Sequence, residues 1–561
     1  MRLDSNIYIG LLKMRAKKLV FYTIIYTSLC LTSYPFEFLS SNGENYFKFV
    51  GEKNRVEKVD LDFNKKSYDI DFIKIGFFIN GVQYELGEED YRLELLDESN
   101  IIKITGEFED VKYEINLYSS VINKDVLVFN TQLLTFKKLD DVSIYFYIKP
   151  KEIGQITQMT DKIVYNDINF SGKNLKVYRV ENTEYKEKKL KNINDEKFIN
   201  KNQGIFIISP LETQKDGESY FILHKKGSYT SSVTNEKKYW ETILSKHKEK
   251  ALYSSLYMFL NKGLVVDTSG ESPIIDMNQT MKFLELSLLK KDYAVSKKII
   301  EDLLILTKDQ SQGIIPSNFM DINGNTIKRT DNYGVHNSLY RRFTFLKLYL
   351  TYLLETGDKE LYEKTYPKVK SNLIDWLEKK IDSTGVVSDS GNDRIGEDGY
   401  KKFVETQYEA YRSFKLLSLY LGKNNIKDEK YKRIAEKLKE ILILYYVDGV
   451  YIVDYPFAKE LNPKNIFYVD EDLFFNNADY YKALQKNIEI LKKQPSSLIE
   501  KITFVNYLYD KKYFLMADSL REDIEKQLEG YKGIEILQND INLLLNYLIM
   551  KEKGEKYGLN K

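Results

Sequence analysis

The densest run of reactive side chains is Ser388-Asp389-Ser390-Gly391-Asn392-Asp393-Arg394-Ile395-Gly396-Glu397-Asp398-Gly399, with four carboxylates and three glycines in 12 residues. Crowding like charges in an enclosed loop raises the pKa of one of them, as a general acid working near neutral pH requires. Two plainer readings stand beside it: a solvated turn, or a cation loop that lacks the terminal bidentate Glu of an EF-hand. A second group, Thr330-Asp331-Asn332-Tyr333-Gly334-Val335-His336, lies directly before an amphipathic stretch, where Asp331 or Asn332 also suits a helix cap. The third, Gly530-Tyr531-Lys532-Gly533-Ile534-Glu535-Ile536-Leu537-Gln538-Asn539-Asp540, precedes the last helical stretch, for which Asp540 is an ordinary cap. Carboxylates on separate loops suit glycosidic cleavage, in which one acid protonates the leaving oxygen and an opposing base activates water. With inversion the two carboxyls stand about 6.5–9.5 Å apart.

Other chemistries find no support. There is no P-loop, no GxGxxG after a strand, no HExxH, no paired CxxC and no GxSxG. Three histidines in 561 residues argue against a histidine metal cluster, and no metal or cofactor is expected. The 84 Lys and Arg balance 83 Asp and Glu, so no global field draws the chain to nucleic acid. The 45 Tyr and 30 Phe supply stacking faces suited to sugar rings, although most must be core.

These loops need elements to hold them. From about residue 45 to 245 the pattern has period two: Val111, Tyr113, Ile115 and Leu117 alternate with Lys112, Glu114 and Asn116. Further strands are expected at 72–79, 126–134, 142–148 and 205–208, with Asn80-Gly81 closing a hairpin. After about Trp240 the period becomes three to four. Leu339, Phe343, Leu346, Leu350 and Leu353 form one stripe, and Phe403, Tyr411, Phe414 and Leu417 another. Helices are expected near 246–261, 277–290, 292–308, 337–356, 359–381, 402–421, 428–446, 473–493, 496–510, 512–529 and 540–553. Long polar connections alternate with short ones, which gathers the loops at one end of a helical ring; an irregular bundle or α-solenoid is the plainer alternative. The domains expected are a β-sandwich over 34–245 and a helical barrel over 246–561.

Arg15, Lys17 and Lys18 precede an apolar run from Leu19 to Leu31, shorter than the roughly 20 residues a spanning helix needs. This predicts an exported protein whose residues 1–33 are a cleaved signal or a membrane anchor, with Met14 as the biological start. The single cysteine, Cys30, lies in that run, so the exported part holds no disulfide and rests on core size.

Thr330-Asp331-Asn332-Tyr333-Gly334, then a helix, then Glu355-Thr356-Gly357-Asp358 resembles the Gln-x-Asp-Gly-x-Gly, helix, Thr-Gly-Asp run of bacterial glucoamylase-like glycoside hydrolases. Gly263 to Val266, then Ser272-Pro273 and Asp276, is similar to the segment leading to that family's Trp-x-Arg-Asp motif. The resemblance spans residues 45–555 and implies a β-sandwich followed by an (α/α)6 barrel acting on carbohydrate. It implies Asp393 as the general acid, with Glu397 as the second option, and Glu535 as the base. Asp276, Asp331 and Asp389 would bind sugar, with Tyr333 and His336 lining the pocket. The chain departs from the family where Asp276 is followed by Met277-Asn278-Gln279, and where Trp-Glu-Glu gives way to Ser390-Gly391-Asn392-Asp393. Those departures keep open a non-catalytic glycan-binding or envelope protein; a third reading is a polysaccharide lyase using Tyr333, His336 and Tyr340, since those enzymes also join helical toroids to β domains, although they usually place the toroid first.

Overall fold

The computed structural model describes residues 37–557 apart from internal segments, the longest being 182–190, 308–318, 321–336, 388–403 and 452–462. Among the described residues no helix is long and apolar enough to cross a membrane, and residues 1–33 lie outside them.

Alternation drives the first half into sheets. Val111, Tyr113, Ile115 and Leu117 are buried while Lys112 is exposed. Two nine-stranded antiparallel sheets form. In one, Ile70–Ile79 pairs with Arg55–Asp60 and Val142–Pro150, which continues to Gln203–Pro210. In the other, Val111–Ser119 lies between Ile102–Phe108 and Val126–Leu133, followed by Glu218–His224. Asn80 and Gly81 take φ of 50° and 80°, the doubly positive pair that a tight hairpin turn demands. The sheets face each other across aromatic rings: Phe146 stacks on Phe221 at 4.0 Å, and Phe77 meets Tyr113 at 4.6 Å. On the other face of the first sheet Gly76 makes room for Tyr145, since a Cβ there would lie 2.3 Å from that ring, which stacks on Phe206 at 4.9 Å.

The period-two stretch ends earlier than expected, in helix α1 (Val233–Leu244). Ser232 caps it by accepting a hydrogen bond from the Asn235 amide. Its buried side chains are Glu236, Trp240 and Leu244, so an acid occupies one position of what would be an apolar stripe. Glu236 accepts from Ser120 Oγ and, at 3.0 Å, from the Val121 amide, and Trp240 Nε1 donates to Asn100 Oδ1 at 3.0 Å. Both contacts tie α1 to the sheets.

Helix α2 (Lys250–Met258) follows His247, whose ring stacks on Tyr253 at 3.8 Å and shares a 2.9 Å hydrogen bond with Tyr257. Burial, aided by Lys290 and Lys246, lowers the His247 pKa to about 4. The unfolded chain therefore takes up a proton near pH 6.5 that the folded chain refuses. Stability is full above pH 6.5 and is expected to fall by up to about 3 kcal/mol as pH drops towards 4. Denaturant midpoints measured across that window should show the fall in wild type and a shallower one in His247→Phe.

The remaining helices form a double ring. In chain order they are α3 (Met277–Leu289), α4 (Tyr293–Leu306), α5 (Asn337–Thr356), α6 (Lys359–Val369), α7 (Val404–Lys423), α8 (Glu429–Leu444), α9 (Asn477–Leu491), α10 (Leu498–Asp510), α11 (Phe514–Gln527) and α12 (Ile541–Tyr557). Helix α3 packs on α5 and α5 on α7. Helix α7 packs on the 3-10 helix Pro463–Tyr468, which meets α10 through Phe467 stacked on Tyr507 at 4.8 Å. Helix α10 packs on α12, and α12 returns to α3. Helices α2, α4, α6, α8, α9 and α11 lie outside this inner circle. One continuous core unites the two layers, including the expected stripes Leu339, Phe343, Leu346, Leu350, Leu353 and Tyr411, Phe414, Leu417. Phe403 lies outside the described residues.

Candidate active site

In chain order, a connection from an outer helix leads into each of the inner helices α5, α7 and α12. The stretch 321–336 starts beyond strand Phe319–Met320, which pairs with Ile274–Asp276, and ends at the first turn of α5. The described residues on either side of 388–403 are tied to each other: Val387 donates its amide to Gln407 Oε1 at 2.9 Å, and Gln407 Nε2 donates to the Gly385 carbonyl at 2.8 Å. The stretch 530–535 leads to Asp540, which caps α12 by accepting from the Leu543 amide at 3.0 Å. Asp331, Tyr333, His336, Asp389, Asp393, Glu397 and Glu535 lie on these three stretches and outside the described residues.

Asp276 is described. It caps α3, accepting from the amides of Asn278 and Gln279 at 2.8 and 3.1 Å. Beside it Arg341 reaches across from α5, 4% exposed, with Nε donating to Asn278 Oδ1. Burial lowers the Arg341 pKa to about 10, while Asp276 opposes the shift. Its Nη1 is buried with no partner among the described residues. The neighbouring inner helix thus brings to Asp276 the arginine that its own sequence neighbourhood lacks. Lys282 of α3 completes the group. Burial lowers its pKa while Glu285, Asp276 and Asp540 hold it up, and its ammonium donates to Asn542 Oδ1 of α12.

The ring axis carries a second polar group. On α7, Glu405, Glu409 and Arg412 recur at i, i+4 and i+7 and so share one face, a stripe opposed to the apolar one. Glu409 is 4% exposed and takes Lys347 at 2.7 Å. Arg412 and Lys511 pair with Asp470 at 3.3 and 3.6 Å. Lys553 of α12 binds Asp510 of α10 at 2.8 Å and Glu285 at 3.8 Å. Glu405 differs. It hydrogen-bonds Tyr468, whose hydroxyl accepts from Tyr507 at 3.0 Å, and no cation pairs with it among the described residues. Burial raises its pKa, the Tyr468 hydrogen bond lowers it, and Glu409 raises it again, with a net upward shift. Sequence reading missed Glu405, Tyr468, Tyr507 and Arg341; the acidic repeat on the face of α7 opposite Phe414 was the available signal. Among the described residues no group of three or more His, Cys, Asp or Glu could hold a metal ion.

No family model and no curated protein matches the sequence. Among solved structures, a bacterial glucoamylase complexed with acarbose matches with a TM-score of 0.51 and 12% identity, over 76% of this chain and 68% of its own. A protein from the human microbiome assigned as a kojibiose phosphorylase matches with a TM-score of 0.51 and 8% identity, over 91% of this chain and 86% of its own. The chain has the glucoamylase-like six-hairpin glycosidase fold: an antiparallel β-sandwich followed by an (α/α)6 barrel. Glycoside hydrolases and phosphorylases share that fold.

Proposed function

We propose that this protein is an exported carbohydrate-active enzyme that cleaves a glycosidic bond with inversion. What supports this reading is that three acid-bearing stretches of sequence each lead into an inner helix of one closed ring, whose described interior holds buried carboxyls and phenols. Asp393 protonates the leaving oxygen, with Glu397 as the alternative acid, and Glu535 activates the attacking water. Asp276, Asp331 and Asp389 bind sugar hydroxyls, helped by Arg341, and Tyr333 and His336 line the pocket. Residues 1–33 direct export.

The test is release of reducing sugar from a broad panel of α- and β-glucans and host glycans, run with and without inorganic phosphate to separate hydrolysis from phosphorolysis. Turnover of any member supports the reading, and a folded protein inactive on the whole panel overturns it. A second reading rests on the absence of Trp-x-Arg-Asp around Asp276: a ring that binds glycan without cleaving it. Saturable glycan binding with no product on long incubation would decide for it.

A further inference from the structure

Two neighbouring inner elements of unequal length leave a gap. On α10, Ile499, Thr503 and Tyr507 recur at i, i+4 and i+8 and so share one face, with Phe504 beside them. Ile499, Phe504 and Tyr507 are only partly buried, although α10 belongs to the inner circle. The 3-10 helix Pro463–Tyr468 meets that face through Phe467, which stacks on Tyr507 at 4.8 Å and stands edge-on to Phe504 at 5.7 Å. Six residues of 3-10 helix rise about 12 Å, whereas the 13 residues of α10 rise about 20 Å, so the shorter element cannot cover the longer one. A cavity of about 150 Å³ remains between them, closed on a third side by Leu491, the last residue of α9. Its mouth is polar. Lys464 and Glu500 pair there at 2.8 Å, each about half exposed, and exposed Ser496 completes the rim. Lys464, with the amide and hydroxyl of Ser497, holds the Glu500 carboxyl down at about 2, so the pair stays charged at neutral pH. Inside, Thr503 Oγ1 donates to the Ile499 carbonyl at 2.7 Å and the Tyr507 hydroxyl to Tyr468 at 3.0 Å. The hydroxyl protons of the walls are therefore committed, and the interior offers a ligand mainly methyl groups and ring carbons.

An apolar cavity of about 150 Å³ is large enough to hold one benzene ring. Aromatic walls that present both faces and edges favour a planar ring over a saturated one of the same size. The charged rim sets the other requirement. A pure hydrocarbon seated there would strip water from Lys464 and Glu500 and return nothing, whereas an oxygen substituent accepts from the ammonium. We propose that this cavity binds a single benzenoid ring carrying an oxygen substituent at the rim, supplied either by a free phenol or by the aryl group of a glycoside. The site uses none of the residues assigned above to acid, base or sugar, and it does not depend on the carbohydrate reading.

The test follows binding of phenol, cyclohexanol, phenyl glucoside and methyl glucoside to the full chain by ligand-observed NMR at pH 7. Phenol is expected to saturate with a dissociation constant of about 1 mM or lower, and cyclohexanol to bind about threefold to tenfold more weakly. Ile499→Trp fills the cavity from its wall and is expected to weaken phenol by about tenfold or more. Ser496→Trp obstructs the mouth from an exposed position and is expected to act in the same direction without touching the core. Thermal melts of both variants establish that they fold. Phenyl glucoside displaced by phenol, with methyl glucoside left in place, assigns the ring to a glycoside; phenol binding that phenyl glucoside does not displace assigns it to a free phenol. The inference is overturned if neither aromatic probe binds, if cyclohexanol binds as well as phenol, or if phenol binds both tryptophan variants as it binds wild type. Glycan turnover by a protein that binds neither aromatic probe would sink this inference and leave the proposed function standing.

Discussion

Asp393→Asn is expected to lower turnover of an unactivated glycoside by about a thousandfold while leaving the fold unchanged, and Glu535→Gln to do the same by a different route. The acid is needed only when the leaving oxygen is basic. A substrate with an activated leaving group, such as a dinitrophenyl glycoside, should therefore recover most of its rate in Asp393→Asn. The base acts on water whatever departs, so Glu535→Gln should stay slow on both substrates. Steady-state rates on one activated and one unactivated substrate for each variant assign the two roles. If Asp393→Asn is as active as wild type and Glu397→Gln is not, the acid is Glu397.

The second large effect is on stability. Trp240→Ala is expected to cost about 3–5 kcal/mol, read as a lower denaturant midpoint. Trp240 is 2% exposed and belongs to the helical core, yet its indole N–H reaches Asn100 between the sheets. Asn100 in turn donates to the carbonyls of Ser41 and Ser119 at 3.0 and 2.7 Å, so one side chain connects a helix to two strands. Trp240→Phe keeps most of the ring and leaves Asn100 Oδ1 without its donor, and should cost about 1–3 kcal/mol. The difference between the variants separates lost packing from the lost hydrogen bond.

Much of this architecture was legible because it rests on local periodicity. The Asn80-Gly81 turn and the stripe from Leu339 to Leu353 are each dictated by residues close in sequence and stand as expected, and the strand at 111–117 alternates as expected except at Asn116, which is buried and donates to Glu114. Helix α1 was not legible, because buried Glu236 interrupts its apolar stripe and is satisfied by Ser120, Val121 and Ile122, which are remote in sequence. The 3-10 helix Pro463–Tyr468 is six residues long, too short for a period to register, although it completes the inner circle. The axial cluster was hidden for another reason. A helix inside a double ring has two enclosed faces, one apolar towards the outer layer and one polar towards the axis. Looking for one apolar stripe finds Phe414 and passes over Glu405. Asp276 was found, but its guanidinium neighbour comes from another helix, and no local motif announces it.

The return of α12 onto α3 has a consequence for biogenesis. Those two helices are the first and last members of the circle, so their contact has the greatest sequence separation of any within it. A nascent chain emerging from the ribosome can dock successive hairpins but cannot make this final joint until Ile541 onward is free. Until then, the apolar flanks of α3 and α10 that α12 covers remain open to solvent and to chaperones. Joining the two ends is therefore the late step on which completion of the wall depends.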